Sequence, residues 1–156
     1  MEDKKKKGSG WELLSRFRVR DLMTEKLVTL SVADQLRLWD ENEAWRRLRH
    51  IPVVDSAGKL VGMVSHRDLM NKTASALLRP NQRAHFEQGF SIPVVEAMRK
   101  DVVTISPDAG LIEAAHLMFD NEFGALPVVD IQGALLGIIT EADFVELVHF
   151  GEDCFK

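Results

Sequence analysis

The chain of 156 residues lacks the features that mark several large protein classes. It has one cysteine, Cys154, so an internal disulfide is impossible, and this fits a reducing compartment. It has no stretch of about 18 uncharged apolar residues that could span a bilayer. No apolar run of the signal-peptide type follows its first ten residues. We therefore expect a cytoplasmic protein without a membrane partner.

Charge and motif content exclude further classes. The formal net charge is −4, so the whole molecule is not an electrostatic nucleic-acid binder, and we expect no nucleic-acid partner. We interpret the run Lys4–Lys7 as a solvated, disordered tail. The weaker alternative is a tether to nucleic acid or anionic lipid. The five histidines show no metal-ligand spacing, and no phosphate-binding glycine loop is present. We expect no catalytic residue, no metal and no required cofactor.

The chain repeats itself at an offset of 75 residues. The segment Ile51–Asp55 matches Leu126–Asp130. The same register aligns Met23 with Met98, Gly62 with Gly137, Ser65 with Thr140, and Asp68 with Asp143. Two homologous halves follow from this, each too small to bury its own sheet, so we expect them to pack on each other.

Each half is predicted to be a β-α-β-β-α unit, which makes the fold class α+β. The predicted divisions are 1–15 for a disordered basic tail and the start of an entry helix, 16–78 for the first repeat, 79–93 for a linker, 94–150 for the second repeat and 151–156 for a C-terminal tail. Ser31 is predicted to cap a helix over Val32–Leu48. Ser106 is predicted to cap the equivalent helix, with Pro107 in its first position.

A hydroxyl residue precedes an aspartate by three positions at the end of the last strand of each half. The pairs are Ser65 with Asp68 and Thr140 with Asp143. As a capping box, the pair would only satisfy the first N–H groups of a helix. As a binding site, the strand end would open onto a helix N-terminus, and the carboxylate could accept two hydrogen bonds from a vicinal diol such as ribose. Both interpretations stay open on the residues alone.

These motifs together resemble a tandem pair of CBS domains, the cystathionine-β-synthase-type regulatory modules also found in AMP-activated protein kinase gamma subunits. The shared features are the Val-Thr strand, the apolar-Pro-Val-Val-Asp strand and the Gly-x-apolar-apolar-Ser/Thr-x-x-Asp junction, each in two copies. The resemblance implies two CBS repeats packed by pseudo-two-fold symmetry (a Bateman module), and a homodimer of such modules.

The resemblance also implies which residues would bind a nucleotide between the repeats. Each pocket would combine the Ser/Thr and Asp of one half with residues of the other half. One pocket would contain Thr140, Asp143, Val28, Arg49, His50 and Ile51. The other would contain Ser65, Asp68, Val103, Gly124, Ala125 and Leu126. Asp143 would hold ribose hydroxyls, and Arg49 and His50 would supply positive charge for phosphates.

The predicted function is therefore regulatory. The chain would sense AMP, ADP, ATP or a related adenosine ligand and pass the change to an unknown effector protein. The alternative is a nucleotide-independent module for dimerisation or protein interaction, in which both Ser/Thr-x-x-Asp junctions only cap helices.

Overall fold

The computed structural model describes residues 9–37, 49–78 and 91–151. The helices are α1 Ser9–Arg16, α2 Val19–Leu22, α3 His66–Leu77, α4 Val94–Ala97, α5 Leu111–Asn121 and α6 Glu141–Phe150. The strands are β1 Leu30–Ser31, β2 Gln35–Arg37, β3 His50–Val54, β4 Leu60–Ser65, β5 Ser91–Pro93, β6 Ala125–Val129 and β7 Leu135–Thr140. Within these residues, every helix is too short or too polar to cross a membrane.

The described residues form two compact units. The terminal unit combines residues 9–27 with 103–151, and the central unit consists of the described residues between 28 and 102. Each unit therefore contains parts of both sequence repeats, so the repeat boundaries expected from the sequence stay a prediction. The predicted tail and linker fall largely on residues 1–8, 79–90 and 152–156, which lie outside the described residues.

The central unit is built on a three-stranded sheet in the order β1-β3-β4. Strand β1 runs parallel to β3, and β3 and β4 form an antiparallel hairpin. Strands β2 and β5 pair separately and antiparallel, with Leu36 opposite Ile92. The buried core consists of Leu30, Leu36, Ile51, Val53, Val64, Ile92, Val94 and Ala97.

The terminal unit repeats this plan around the hairpin of β6 and β7. Ile105 makes a parallel bridge to Val128, in the place that β1 takes in the central unit. Helix α1 packs on α5. The buried core consists of Val19, Ile105, Leu111, Ala114, Met118, Leu126, Val128, Ile139 and Leu147.

Both hairpins close through the same turn. In the first, Asp55 Oδ1 accepts hydrogen bonds from the N–H groups of Ala57 and Lys59, each at 2.9 Å. Gly58 has φ +77°, a left-handed conformation that favours glycine. Asp130 and Gly133 repeat this arrangement in the second hairpin, which explains why the sequence located both hairpins correctly.

The short entry segments of the two repeats are exchanged between the units. Thr24, just after α2 of the first repeat, exchanges backbone hydrogen bonds of 2.9 and 3.0 Å with Ile138 on β7 of the second repeat. Arg99, just after α4 of the second repeat, exchanges two bonds of 2.9 Å with Met63 on β4 of the first. Each hairpin thus has its open edge covered by a segment from the other repeat, which satisfies backbone groups that would otherwise be unpaired.

A glycine on each hairpin permits this close approach. A Cβ atom at position 137 would lie 2.8 Å from Sδ of Met23 and 3.0 Å from the carbonyl oxygen of Thr24. A Cβ atom at Gly62 would lie 2.7 Å from Sδ of Met98 and 2.8 Å from the carbonyl oxygen of Arg99. The backbone contact at Gly62 is shorter than real Cβ contacts and that at Gly137 lies at their tight limit, so the two repeated glycines serve packing rather than a special backbone angle.

The helix predicted over Val32–Leu48 is wrong at its beginning. Ser31 N–H donates to Asp34 Oδ2 at 2.8 Å, which is one half of a capping box, but Ser31 Oγ accepts from Ala33 N–H, at 3.3 Å, instead of from Asp34 N–H. The chain then enters strand β2 instead of a helix, because residues 35–37 pair with residues 91–93. Residues 38–48 lie outside the described residues.

The second predicted helix begins later than expected. Ser106 does not cap it; its Oγ accepts a hydrogen bond from Asp108 N–H at 3.2 Å within a turn. Helix α5 begins at Leu111 with Gly110 as its N-cap. The first strand of the predicted β-α-β-β-α unit is the short β1 Leu30–Ser31 in the first repeat and only the single bridge at Ile105 in the second.

We expect Gly137→Ala to lower the free energy of unfolding by about 1–3 kcal/mol, the usual cost of overpacking a core position. Urea denaturation measures this loss. Gly110→Ala is the matched control, because a Cβ atom there has only Arg18 Nη1 within reach, at 4.0 Å. Because Gly110 is the N-cap of α5, alanine there should cost up to about 1 kcal/mol through weaker capping, and less than Gly137→Ala. Equal stability of Gly137→Ala and the control would contradict the close approach.

Candidate functional site

Both Ser/Thr-x-x-Asp pairs lie where a hairpin strand runs into a helix. Ser65 ends β4 and Asp68 lies in the first turn of α3, while Thr140 ends β7 and Asp143 lies in the first turn of α6. The capping interpretation is therefore right as far as local structure goes, since each hydroxyl residue and its aspartate are hydrogen-bonded to each other. What differs between the two junctions is the rest of the carboxylate's environment.

Asp143 is hydrogen-bonded by its own capping residue. The backbone N–H and the Oγ1 hydroxyl of Thr140 both donate to Oδ2, at 2.6 and 2.8 Å. Burial raises the pKa of Asp143 above its ordinary value and the charge of nearby Glu146 adds to this, whereas the hydrogen bonds from Thr140 and from the backbone of Asp143 itself oppose it. Among the described residues, no arginine or lysine pairs with this partly desolvated carboxylate.

Asp68 has an additional partner. Ser65 donates to Oδ2 through its hydroxyl and, at 3.4 Å, through its backbone N–H. Arg99 Nε donates to Oδ1 at 3.1 Å, and Arg99 Nη2 lies 3.0 Å from the same oxygen. Burial alone would raise the pKa of Asp68, but the hydrogen bonds from Ser65 and Arg99 and the charge of Arg99 outweigh it, so this pKa is lowered.

The residues before the first proline lie beside Ser65. His50 is the Cα partner of Ser65 in the β3–β4 ladder, and Ile51 next to it is buried. Arg49 is exposed, and its carbonyl oxygen accepts a hydrogen bond of 3.0 Å from His66 N–H. Hairpin pairing thus fixes Arg49, His50 and Ile51 next to the junction of their own repeat.

The equivalent residues of the second repeat lie beside Thr140. Ala125 is the Cα partner of Thr140 in the β6–β7 ladder, and Leu126 next to it is fully buried. Glu141 N–H donates to the carbonyl oxygen of Gly124 at 3.2 Å.

The exposed valines of the two Val-Thr segments lie at the same ends of these sheets. Val28 precedes Leu30 by two residues, and Leu30 is the parallel partner of Val53 on β3. Val103 precedes Ile105 by two residues, and Ile105 bridges Val128 on β6. Continuing each register by two residues brings Val28 level with Ile51, and Val103 level with Leu126.

Every predicted binding residue therefore falls into one of two sets, each inside one unit. The central unit brings together Val28, Arg49, His50, Ile51, Ser65 and Asp68. The terminal unit brings together Val103, Ala125, Leu126, Thr140 and Asp143. Hairpin pairing places Arg49 and His50 beside Ser65 of their own repeat, and their expected grouping with Thr140 of the other repeat stays a prediction.

The two sets differ in charge. Around the central junction lie the exposed cations Arg49, Arg67 and Arg99, together with His66. Around the terminal junction lie Gly124 and Ala125 on the strand side and Glu141 on the helix side. The sequence interpretation missed Arg99. Comparing the repeats at the same offset could have found it, because Arg99 corresponds to Thr24.

No metal site is apparent in the described part of the chain, where no three His, Cys, Asp or Glu side chains come close enough together to hold an ion. The chemistry that the two junctions offer is thus hydrogen bonding and charge, with partly buried carboxylates at helix N-termini.

The comparisons with known proteins agree with this geometry. The family model for the CBS domain matches residues 19–75 and 92–149. A CBS domain-containing protein of Dictyostelium discoideum is 32% identical over 130 residues, which are 83% of this chain and 90% of that protein.

Two crystal structures are similar over most of both chains. A candidate acetoin utilization protein (AcuB) from Vibrio cholerae has a TM-score of 0.71 and 36% identity, over 85% of this chain and 92% of that one. CBSX2, solved in complex with AMP, has a TM-score of 0.68 and 26% identity, over 85% and 96% of the two chains. The predicted family and the α+β class with two repeats are confirmed. Matched at both of its repeats, the chain belongs to the CBS-domain family.

Proposed function

We propose that this chain is a regulatory module that binds an adenosine-type ligand, with the carboxylate of Asp143 as the acceptor for the ribose hydroxyls. The carboxylate of Asp143 supports this most directly, because it is partly buried and, among the described residues, has no cationic partner, so a vicinal diol can donate to it without displacing an ion pair. Binding of AMP by CBSX2, which is similar over most of both chains, supports the ligand class.

The surroundings of Asp143 fit the nucleoside part of such a ligand. Val103 is exposed at the same end of the sheet and offers an apolar surface for the base. Gly124 and Ala125, on the strand side of the junction beside Thr140, are both small residues. We propose AMP, ADP, ATP or a related adenosine derivative as ligand. Because Glu141 would repel a phosphate group, derivatives with less negative charge should bind this junction better.

Regulation, rather than catalysis, is the proposed use of this binding. A ligand that binds two conformations of the module with different affinity shifts their populations by that difference, and a partner protein can respond to the shift. The identity of that effector protein and the cytoplasmic location stay predictions from the sequence.

Saturation with a binding nucleoside or nucleotide, at about 100 times its Kd, should raise the free energy of unfolding by roughly 2.7 kcal/mol. For a chain of this size, that corresponds to a rise in Tm of about 5–10 °C. A thermal-shift series with adenosine, AMP, ADP and ATP measures it. Asp143→Asn keeps the shape of the side chain but removes its charge, and should abolish the shift.

The matched control for that series is Asp120→Asn, the same chemical change at an exposed position of α5. It should retain the full shift. A shift that survives Asp143→Asn unchanged would place the ligand elsewhere, and the absence of any shift with all four compounds would reject the proposed function.

Ligand binding should also depend on pH. The raised pKa of Asp143 means that the folded protein holds this proton more tightly than the unfolded chain, so protonation of Asp143 stabilises the free protein as pH falls. A diol, in contrast, binds best to the ionised carboxylate. The shift in Tm produced by adenosine should therefore shrink as pH falls, starting above the ordinary aspartate pKa of about 3.9.

Thermal shifts measured with adenosine across that pH range test whether the shift in Tm shrinks as pH falls. In Asp143→Asn any residual shift should be small and independent of pH. A wild-type shift that stays constant until the pH reaches the ordinary aspartate range would contradict the role given to Asp143.

One observation supports the alternative of an interaction module. Helix α6 has apolar residues on both sides: Phe144 and Leu147 face the core, while Val145 and Val148 are 68% and 86% exposed. Large apolar side chains that lie together on the exposed side of a helix are typical of a surface that another chain covers. We propose that a second copy of this chain covers Val145 and Val148 in a homodimer, with or without nucleotide.

Val148→Glu should convert such a dimer to monomer, as measured by sedimentation velocity. Ile131→Glu is the control, because Ile131 is 97% exposed in a hairpin turn of the same unit, away from α6. It should leave the association state unchanged. A wild-type chain that sediments as a monomer at all concentrations would reject the dimer.

A further inference from the structure

We infer that this chain has a single site for a vicinal diol, at Asp143, and that Arg99 closes the homologous site by occupying Asp68. The inference rests on the proposed function and specifies which of the two repeated carboxylates receives the ligand. It makes Arg99 a specificity-determining residue and sets the number of adenosine-type ligands at one per chain.

The acceptor positions of Asp68 are already used by the protein. An ionised carboxylate offers about four lone-pair positions. Arg99 directs Nε and Nη2 at Oδ1, at 3.1 and 3.0 Å. Ser65 directs its hydroxyl and its backbone N–H at Oδ2. A diol could bind Asp68 only after displacing these donors.

The displacement is unfavourable because the pair is partly shielded from water. The side chain of Asp68 is only 15% exposed, whereas that of Arg99 is 65% exposed. Removing the guanidinium would leave a largely buried carboxylate without its opposite charge. A neutral diol replaces hydrogen bonds but not charge, so it competes poorly with Arg99.

Asp143 differs from Asp68 because no arginine is among its described partners. Among the described residues, Thr140 donates twice to Oδ2, the backbone of Asp143 also contributes, and no guanidinium reaches the carboxylate, so a diol has no charged donor to displace. The residue at the position equivalent to Arg99 is Thr24, which forms the same backbone pairing with the neighbouring strand. A threonine has neither the length nor the charge of an arginine. The two repeats thus share one backbone plan and differ in the side chain that reaches the carboxylate.

Isothermal titration with adenosine tests this directly. The wild-type chain should bind one adenosine. Arg99→Met, which keeps the length of the side chain but removes its donors, should bind two. Arg99→Lys retains a positive charge close to Asp68 and should still bind one. 2′-Deoxyadenosine lacks one of the two hydroxyls and should bind each form at least about tenfold more weakly, the kind of loss expected when a buried polar group is left unpaired.

The two sites can be separated by combining variants. Asp143→Asn should remove binding from the wild-type chain, whereas the double variant Arg99→Met with Asp143→Asn should bind one adenosine, at Asp68. Urea denaturation of each variant checks that it is folded. Arg99 is mostly exposed, so its replacement should leave the fold intact.

Each outcome decides the inference. Two adenosines on the wild-type chain, or one on Arg99→Met, would overturn the role of Arg99 and leave the proposed function standing. Binding by the wild-type chain that is lost in Asp68→Asn but kept in Asp143→Asn would also overturn it. No adenosine binding by either the wild-type chain or Arg99→Met would reject the proposed function, and this inference with it.

Discussion

The close backbone approach at Gly62 and Gly137 is the constraint on which the rest of the structure depends. Each glycine lets an entry segment lie against the outer strand of a hairpin, at a distance that no Cβ atom would allow. This contact covers the hairpin edge, and it also places one side chain of the entry segment next to the helix that follows the strand. In the central unit that side chain is Arg99, which is why a packing contact determines the environment of Asp68.

Two copies of one motif have therefore acquired opposite electrostatics. The sequence located both junctions, because Ser/Thr-x-x-Asp after a strand is a local pattern. It could not show the charged partner of each carboxylate, because Arg99 is distant from Asp68 in sequence. The ion pair of Arg99 with Asp68 joins residues 31 positions apart, and only the exchange of the entry segments brings them together.

Local patterns predicted parts of the fold, whereas contacts between residues distant in sequence were not predicted. Hairpins, their Gly turns and the helices after them follow from neighbouring residues, and the structure has them within one or two positions. Strand β2 depends on pairing with β5, more than fifty residues later, so the capping pattern of Ser31 with Asp34 was a misleading guide there. At Ser106 the capping pattern formed a turn instead, because Gly110 begins the helix.

The exchange of entry segments has a consequence for the order of folding during synthesis. Residues 28–102 are continuous in the chain, so the central unit can fold as soon as they have left the ribosome. Residues 9–27 are synthesised before the central unit but pack against residues 103–151, which are synthesised after it. Val19 and Phe17 therefore reach their packing partners only after the whole central unit has been made. A segment made early is thus buried late, and it needs protection from misassociation until residues 103–151 have been synthesised.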